Sequence, residues 1–264
     1  MPIDFHDAKN SRTYAERAAD ETWNAAIQQL VDLSGKVVAD LGCGGGIYTR
    51  ALAILGATHV IGIDSSEVML TTACRDTHNE RVNYVLGDAC ATGLSADSFD
   101  VLLERAVIHH IQPQDQPANL AETQRLLKSG GLVIMQDRTA EDCLLPGSAT
   151  HIRGYFFERY PKLRDREVAR RPERDRLLAM MRNASFEQVE ARSFWETRHR
   201  YENFAQLAQN LSARSGRSIL HDLDDVELTN LIAYIRLQIG GHEDQEIIEQ
   251  DRWTIWTGRK PLHP

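Results

Sequence analysis

Cysteine is scarce in this sequence, long apolar runs are missing, and positive charge is in the minority. The 264 residues contain four cysteines, Cys43, Cys74, Cys90 and Cys143, which form no CxxC pair and no metal-ligand spacing. That excludes a disulfide-built secreted scaffold and a structural zinc site, and no metal is expected. The thiols read as reduced and mostly buried, as in a cytoplasmic protein. No apolar stretch approaches the ~20 residues that a membrane-spanning helix needs. Residues 1–12 are polar and lack the apolar centre of a signal peptide. The chain is therefore expected to be cytoplasmic, with no membrane partner. Thirty Lys and Arg face 38 Asp and Glu, for a formal net charge of −8. A protein that grips nucleic acid through its phosphates is ordinarily basic, so no nucleic-acid partner is expected. Oligomeric state is not legible.

What is present is a regular alternation. Ser11 to Val31 has helical periodicity, with Tyr14, Ala18, Trp23, Ile27 and Leu30 on one face. Short apolar strands follow at Val37 to Ala39, His59 to Ile63, Val82 to Leu86, Phe99 to Leu103 and Leu132 to Met135. Helices are expected between them at Ile47 to Leu55, from a Ser65 or Ser66 cap to about Arg75, and at Asn119 to Leu127. Further on, Glu173 to Asn183 reads as a helix, Phe186 to Phe194 as a strand and Arg252 to Gly258 as the closing strand. Apolar strands alternating with helices predict an α/β fold, a doubly wound and mostly parallel sheet covered on both faces. The simplest arrangement is one domain over 1–264. It has seven strands and a helical insertion, at about 197–250, between the last two.

The chemistry concentrates where the first strands end. Asp40-Leu-Gly-Cys-Gly-Gly-Gly46 follows a strand and opens a helix, and Gly42, Gly44 and Gly46 let the backbone approach a ligand closely. A dinucleotide fingerprint would need GxGxxG, and Ile47 or Thr49 stands at the third glycine, so a pyrophosphate fits poorly. Asp40 offers a carboxylate suited to a cationic ligand. About twenty residues on, Asp64 ends the second strand, where an acid can accept hydrogen bonds from both ribose hydroxyls. Asp88 ends the third; it can accept from an adenine amine while the Ala89 backbone reads the ring edge. Three acidic strand ends beside one glycine loop describe a pocket for a nucleoside carrying a cation.

These segments resemble, in order, the signature of class I S-adenosylmethionine-dependent methyltransferases, over roughly residues 10 to 140. DLGCGGG matches the first motif, GIDSSEVML the second and GDA the third. FDVLLERAVIHHI and RLLKSGGLVIMQD match the fourth and fifth. The resemblance implies a Rossmann-like methyltransferase fold with S-adenosyl-L-methionine as cofactor. It implies cofactor contacts at Asp40, Gly42, Gly44, Gly46, Asp64, Ser65, Asp88 and Ala89. It also implies Met69 over the adenine face and the Arg105 backbone carbonyl on the cofactor amine. Tyr14 and Arg17, one turn apart on the first helix, take the place where such enzymes close over the cofactor. His109 and His110 follow the fourth strand near the transferred methyl, and His110 is the candidate general base, with a loop-capping role as its alternative.

The region from Trp195 through Leu228 resembles, over a short stretch, trans-aconitate methyltransferases, although their GTGLRP segment is replaced by RSGRSIL. The insertion is expected to be a lid. Arg217, with Arg214, could clamp a carboxylate, and His151, Arg153, Tyr155, Tyr160 and Trp195 could line the rest of a substrate pocket. Arginines between 153 and 176, interleaved with acids, read as a solvated helix. The expected function is methyl transfer from S-adenosylmethionine to an oxygen, nitrogen or sulfur of a small molecule, a carboxylate among the options. The alternatives are a catalytically silent cofactor-binding regulator, an RNA methyltransferase and, disfavoured by the glycine spacing, a nicotinamide oxidoreductase.

Overall fold

Seven strands form one sheet in the order β3-β2-β1-β4-β5-β7-β6 in a computed structural model that describes residues 19–240 and 244–262. The strands are β1 (Val37–Leu41), β2 (His59–Asp64), β3 (Val82–Leu86), β4 (Phe99–Arg105), β5 (Leu127–Asp137), β6 (Glu187–Tyr201) and β7 (Ile247–Arg259). The first five pair in parallel, and β7 runs antiparallel to both β5 and β6. This is the doubly wound Rossmann-like fold expected from the strand and helix alternation.

The period-two pattern of the strands sends alternate residues to two cores. Val38, Val60, Val101, Leu103, Leu132, Ile134 and Ile255 pack with Trp23 and Ile27 of α1 (Glu21–Gln28) and Leu52 of α2 (Ile47–Ile54). Ala39, Ile63, Leu102, Val133, Met135 and Trp256 pack with α4 (Gln116–Leu126) and α8 (Arg174–Asn183). Between β2 and β3, α3 (Glu67–Arg75) starts at Ser66, whose hydroxyl accepts from the Met69 amide and so caps the helix. The long helix expected from Ser11 is seen only as α1, because its first part lies outside the described residues.

A third core stands apart from the sheet. Past the Asp137–Thr254 pairing, Ile247 to Trp253 continue against β6 up to the Tyr201–Ile247 pair, so the two-stranded ribbon projects beyond β5. That ribbon carries α9 (Phe204–Ser212), the turn Ser218–Asp222 and α10 (Asp225–Ile239). The connection is thus 202–246, shorter than the expected insertion, because both flanking strands extend into it. Its apolar side packs on α6 (Gly154–Arg159) and α7 (Lys162–Ala169), which follow the short α5 (Ala140–Cys143) after β5. Phe156, Phe157, Leu163, Leu207, Leu211, Leu231 and Ile235 share this core. The expected solvated helix over 153–176 is corrected here: it is three helices, with Arg153 and Arg171 buried and Leu163 in the core.

Beneath the projecting ribbon, the Glu196 carboxylate ties the layers together. It accepts from Arg105 Nη2 at 2.9 Å on both oxygens, from Tyr48 at 2.7 Å and from Gln136 Nε2 at 2.8 Å. Gln136 in turn accepts from Trp23 Nε1 at 2.8 Å. One side chain on β6 thereby links α2, β4 and β5 directly and α1 through Gln136. Removing one partner of a buried pair leaves the other charge uncompensated, at about 3–5 kcal/mol. Glu196→Ala should lower the unfolding free energy by about that amount in urea titration. Glu196→Gln, which still accepts a hydrogen bond, should cost less.

Candidate active site

The carboxyl edge of the parallel strands gathers most of the expected residues. Gly42, Gly44 and Gly46 have φ of +70°, +52° and +75°, a left-handed alternation that only glycine adopts freely. A side chain at Gly42 would also collide with Val107, and one at Gly46 with the Tyr84 hydroxyl. The loop therefore sits tight against β3 behind it and the β4 end beside it. Asp64 accepts from the Gly44 amide at 2.8 Å and from the Ser66 amide at 2.9 Å, so the second acidic strand end braces the glycine loop. Met69 is buried with its methyl against Gly44. Ser65 is exposed beside Asp64, and Ser66, not Ser65, is the helix cap.

Asp88 lies exposed at the end of β3, with its carboxylate accepting from the Cys90 amide at 2.7 Å. The neighbouring Ala89 carbonyl accepts from Asn119 Nδ2, which also donates to Glu104. Glu104 is fully buried, and that desolvation raises its pKa to about 7. This support for the Asp88 turn was invisible in the sequence because Glu104, Asn119 and Ala89 come from three separate elements.

One expectation needs correction. Asp40 does not face a ligand: it is 2% exposed and accepts from Thr49 of α2 at 2.6 Å, latching β1 to the helix behind the loop. Burial pushes its pKa up to about 7 against that hydrogen bond, so it is a poor partner for a cation. Arg105 does reach the site's floor, but its guanidinium is buried on Glu196, stacked 4.0 Å from the Tyr48 ring and 4.2 Å from the Trp253 ring. Its expected role rested on the backbone, which this anchor holds in place. Tyr14 and Arg17 lie outside the described residues.

The two histidines separate clearly. Ala106 takes φ of +59°, and its amide donates to the Gln136 carbonyl, so the chain turns sharply off β4. After that turn His109 is almost buried and its Nδ1 stands 2.7 Å from Asp137 at the end of β5. A carboxylate only accepts, so the 2.7 Å contact with Asp137 favours the proton on Nδ1 and the lone pair on Nε2, over the longer 3.3 Å approach of Arg171 Nη1 to the same Nδ1. Burial would raise the Asp137 pKa, but His109 and Arg171 outweigh it and hold the carboxyl well below its usual range. Burial, with nearby Arg171, lowers the His109 pKa in spite of Asp137. His110 is exposed and stacks on His109 with ring centres 4.0 Å apart. Desolvation of the packed side of its ring, with His109 beside it, takes its pKa down too. Both histidines line a cavity of about 320 Å³ between α4, the loop after α7, and α8. Among the described residues no three His, Cys, Asp or Glu side chains come together as metal ligands.

The expected substrate set is not gathered into one pocket, and none of its seven members lines that cavity. His151 is buried with Nδ1 on the Gln250 carbonyl, and half-exposed Trp195 packs edge-on against it. Arg153 is buried on Glu167. Tyr155 sits in the third core, edge-on to Tyr234, and Tyr160 bonds the Glu227 carbonyl. Arg217 is buried against Glu249, the Tyr201 hydroxyl and Asn210, so it anchors the ribbon and cannot clamp a ligand. Arg214 is spent on the carbonyls of Leu220 and Leu223.

The family model described as a methyltransferase domain matches residues 39–135, from within β1 to within β5. Over this span the chain is similar to class I methyltransferases. Over 105 residues the chain is 38% identical to the ubiquinone biosynthesis O-methyltransferase of Ruegeria sp. (strain TM1040), covering 38% of this chain and 40% of that protein. It is 34% identical over 110 residues to the enzyme of the same name from Pseudomonas putida (strain W619), covering 40% and 46%. The chain thus matches less than half the length of these curated relatives. Among solved structures, Haemonchus contortus phosphoethanolamine N-methyltransferase 2 in complex with S-adenosyl-L-methionine aligns with a TM-score of 0.61 at 19% identity, over 98% of this chain and 60% of that one. A candidate methyltransferase from an antibiotic biosynthesis pathway of Anabaena variabilis aligns with a TM-score of 0.67 at 21% identity, over 90% and 98%. At these identities the likeness is one of fold.

The matched span carries a pH signature at Asp40. Its pKa is raised above the ordinary 3.8 to about 7, so the folded state holds a proton that the unfolded chain releases earlier. Stability from this group is complete below about pH 4 and is lost as pH rises towards 7. Asp40→Asn, which keeps an acceptor for Thr49, should therefore gain on the parent protein across that window, by a few kcal/mol at most. Paired urea titrations at pH 5 and pH 8 measure it, and an equal difference at both would remove the account.

Proposed function

We propose that the protein is an S-adenosylmethionine-dependent methyltransferase acting on a small molecule. The observation that carries this reading is the left-handed glycine loop at the β1 edge braced by Asp64, the acid that ends β2. The residues present fit the cofactor: a glycine surface without side chains at Gly44 and Gly45, a braced carboxylate at Asp64 and an exposed one at Asp88. Asp64 would hold the ribose hydroxyls, Met69 the adenine face, and Asp88 with the Ala89 backbone the adenine edge. When bound, S-adenosylmethionine supplies a sulfonium methyl open to in-line displacement by a nucleophile. The relatives named for ubiquinone biosynthesis and for phosphoethanolamine support a small-molecule acceptor, at oxygen, nitrogen or sulfur.

The chain's own part is alignment, dryness and proton transfer. Arg105 on Glu196 fixes the end of β4, and the turn at Ala106 sends His109 over Asp137. His109 would accept the proton of a hydroxyl or ammonium acceptor, its Nε2 left basic by the Asp137 hydrogen bond. This reading moves the base from His110 to its neighbour, because His109 Nδ1 is held by the Asp137 carboxylate, which orients the ring. The helical layer, α6, α7, α9 and α10 on the ribbon, would be the lid of a single domain.

Two measurements test the proposal. Asp64→Ala should weaken S-adenosylmethionine binding by about 2–3 kcal/mol in calorimetry, by removing charge-assisted hydrogen bonds. Unchanged affinity in a folded variant, or preference for NAD, would sink the reading. His109→Ala should lower kcat by about 10²–10⁴-fold with cofactor affinity kept, and His110→Ala far less. Because the His109 pKa is lowered from 6.5, its basic form predominates at neutral pH, and kcat/KM should fall only on acidification below that value. The opposite ranking of the two variants would return the role to His110.

A further inference from the structure

The cavity beside His109 is lined by two unlike kinds of side chain. Ile108, Ile111, Leu177 and Met180 give it apolar lining, and Arg170, Arg171 and Arg176 give it cationic lining. Its lining contains one acid, Glu173. The positive charge behind it is only partly balanced. Glu167 alone faces three guanidiniums, those of Arg153, Arg170 and Arg171. Arg171 is shared with Asp137, and Asp137 also takes His109, so two buried carboxylates answer three buried or half-buried arginines.

The unused donors lie on the other two arginines. Arg170 spends Nη2 on Glu167 and Ser218, and its Nε is buried without a partner among the described residues. Arg176 is exposed, lines the cavity, and makes no ion pair with any described residue. A buried guanidinium N–H left unmade costs free energy, which an incoming acceptor oxygen would recover.

We infer that this cavity is the acceptor pocket and that it takes a small molecule with an apolar body and an anionic group, a carboxylate or phosphate, held by Arg170 and Arg176. The inference rests on the methyltransferase reading for the word acceptor, and on the cavity alone for the anion. A planar guanidinium donates in a fork that matches either anion. The apolar body would lie against Leu177 and Met180. The atom to be methylated would then point towards His109. At about 320 Å³ the space suits a body of roughly one ring and a short chain.

The test uses three probes of one shape class: 3-phenylpropanoate, its neutral amide, and phenyl phosphate. Each is titrated into the full-length protein by calorimetry, with and without S-adenosylhomocysteine. The expected result is that at least one anion binds about tenfold more tightly than the amide. Preference between the carboxylate and the phosphate identifies the source of the charge. Arg176→Gln, an exposed position that leaves the fold intact, and Arg170→Gln should each erase most of that preference while leaving amide affinity unchanged. If the amide binds as well as both anions, if no anion binds at millimolar concentration, or if both variants keep the preference, the inference is overturned. S-adenosylhomocysteine is titrated separately. Its failure to bind would overturn the methyltransferase reading, while the anion preference measured without it would still stand or fall by itself.

Discussion

A carboxylate buried on the sixth strand is the constraint on which the rest of the arrangement depends. Glu196 cannot be left without donors in a dry interior, because an unpaired buried carboxylate costs several kcal/mol. Its donors, Arg105, Tyr48 and Gln136, come from β4, α2 and β5, and Gln136 brings Trp23 of α1 with it. Satisfying one acid thereby sets the lateral position of the β6 edge relative to the central strands. It also fixes the last residue of β4. Everything that follows Arg105, including the left-handed Ala106, the Val107 contact with Gly42 and the path to His109, starts from a point that cannot drift.

The same logic continues up the ribbon. Glu249 takes Arg217 and Arg198, and Asp251 takes Arg138, so the face of β7 that leaves the sheet is lined by ion pairs. Such pairs contribute little net stability compared with apolar packing, since desolvation offsets most of their attraction. Their effect here is on geometry. They hold a projecting two-stranded ribbon upright over the carboxyl edge, where its own apolar core, built with α6 and α7, sits apart from the two cores of the sheet. Because residues from both the β5–β6 and the β6–β7 connections fill that core, the helical layer is one packed body and not a detachable flap.

This explains what was legible in the sequence. The strand-end half of the candidate site is written in contiguous motifs: a glycine loop, an acid about twenty residues on, and a turn at Asp88, each set by the strand that ends there. Strand alternation and glycine chemistry are local, so β1 to β5 and the turns between them were recoverable. The helical layer was not, because α6 and α7 bury Arg153 and Glu167, and buried pairs look like surface charge in a linear reading. Arg217 failed as a substrate residue for the same reason: its partner Glu249 lies on a distant strand. Asp40 failed differently. Its position at a strand end was read correctly, but the sequence does not say on which side of the loop a side chain falls, and Thr49 takes it behind.

The adjacent histidines show how a tertiary contact assigns roles that residue type cannot. His109 and His110 are chemically the same group, one residue apart, after the same strand. The turn at Ala106 and the short helical turn Ile108–His110 send them to different surroundings. His109 meets Asp137, an acid kept ionised by Arg171, and that contact favours the proton on Nδ1. His110 stays at the cavity mouth with one edge in solvent. The acid that makes the distinction stands at the end of β5, 28 positions from His109, and its own state depends on an arginine that follows α7. The glycine-loop side of this candidate site is thus specified by short stretches of chain. The cavity beside His109 forms only once the turn after β4, α4, the loop after α7 and α8 have packed on one another, so no single motif describes it.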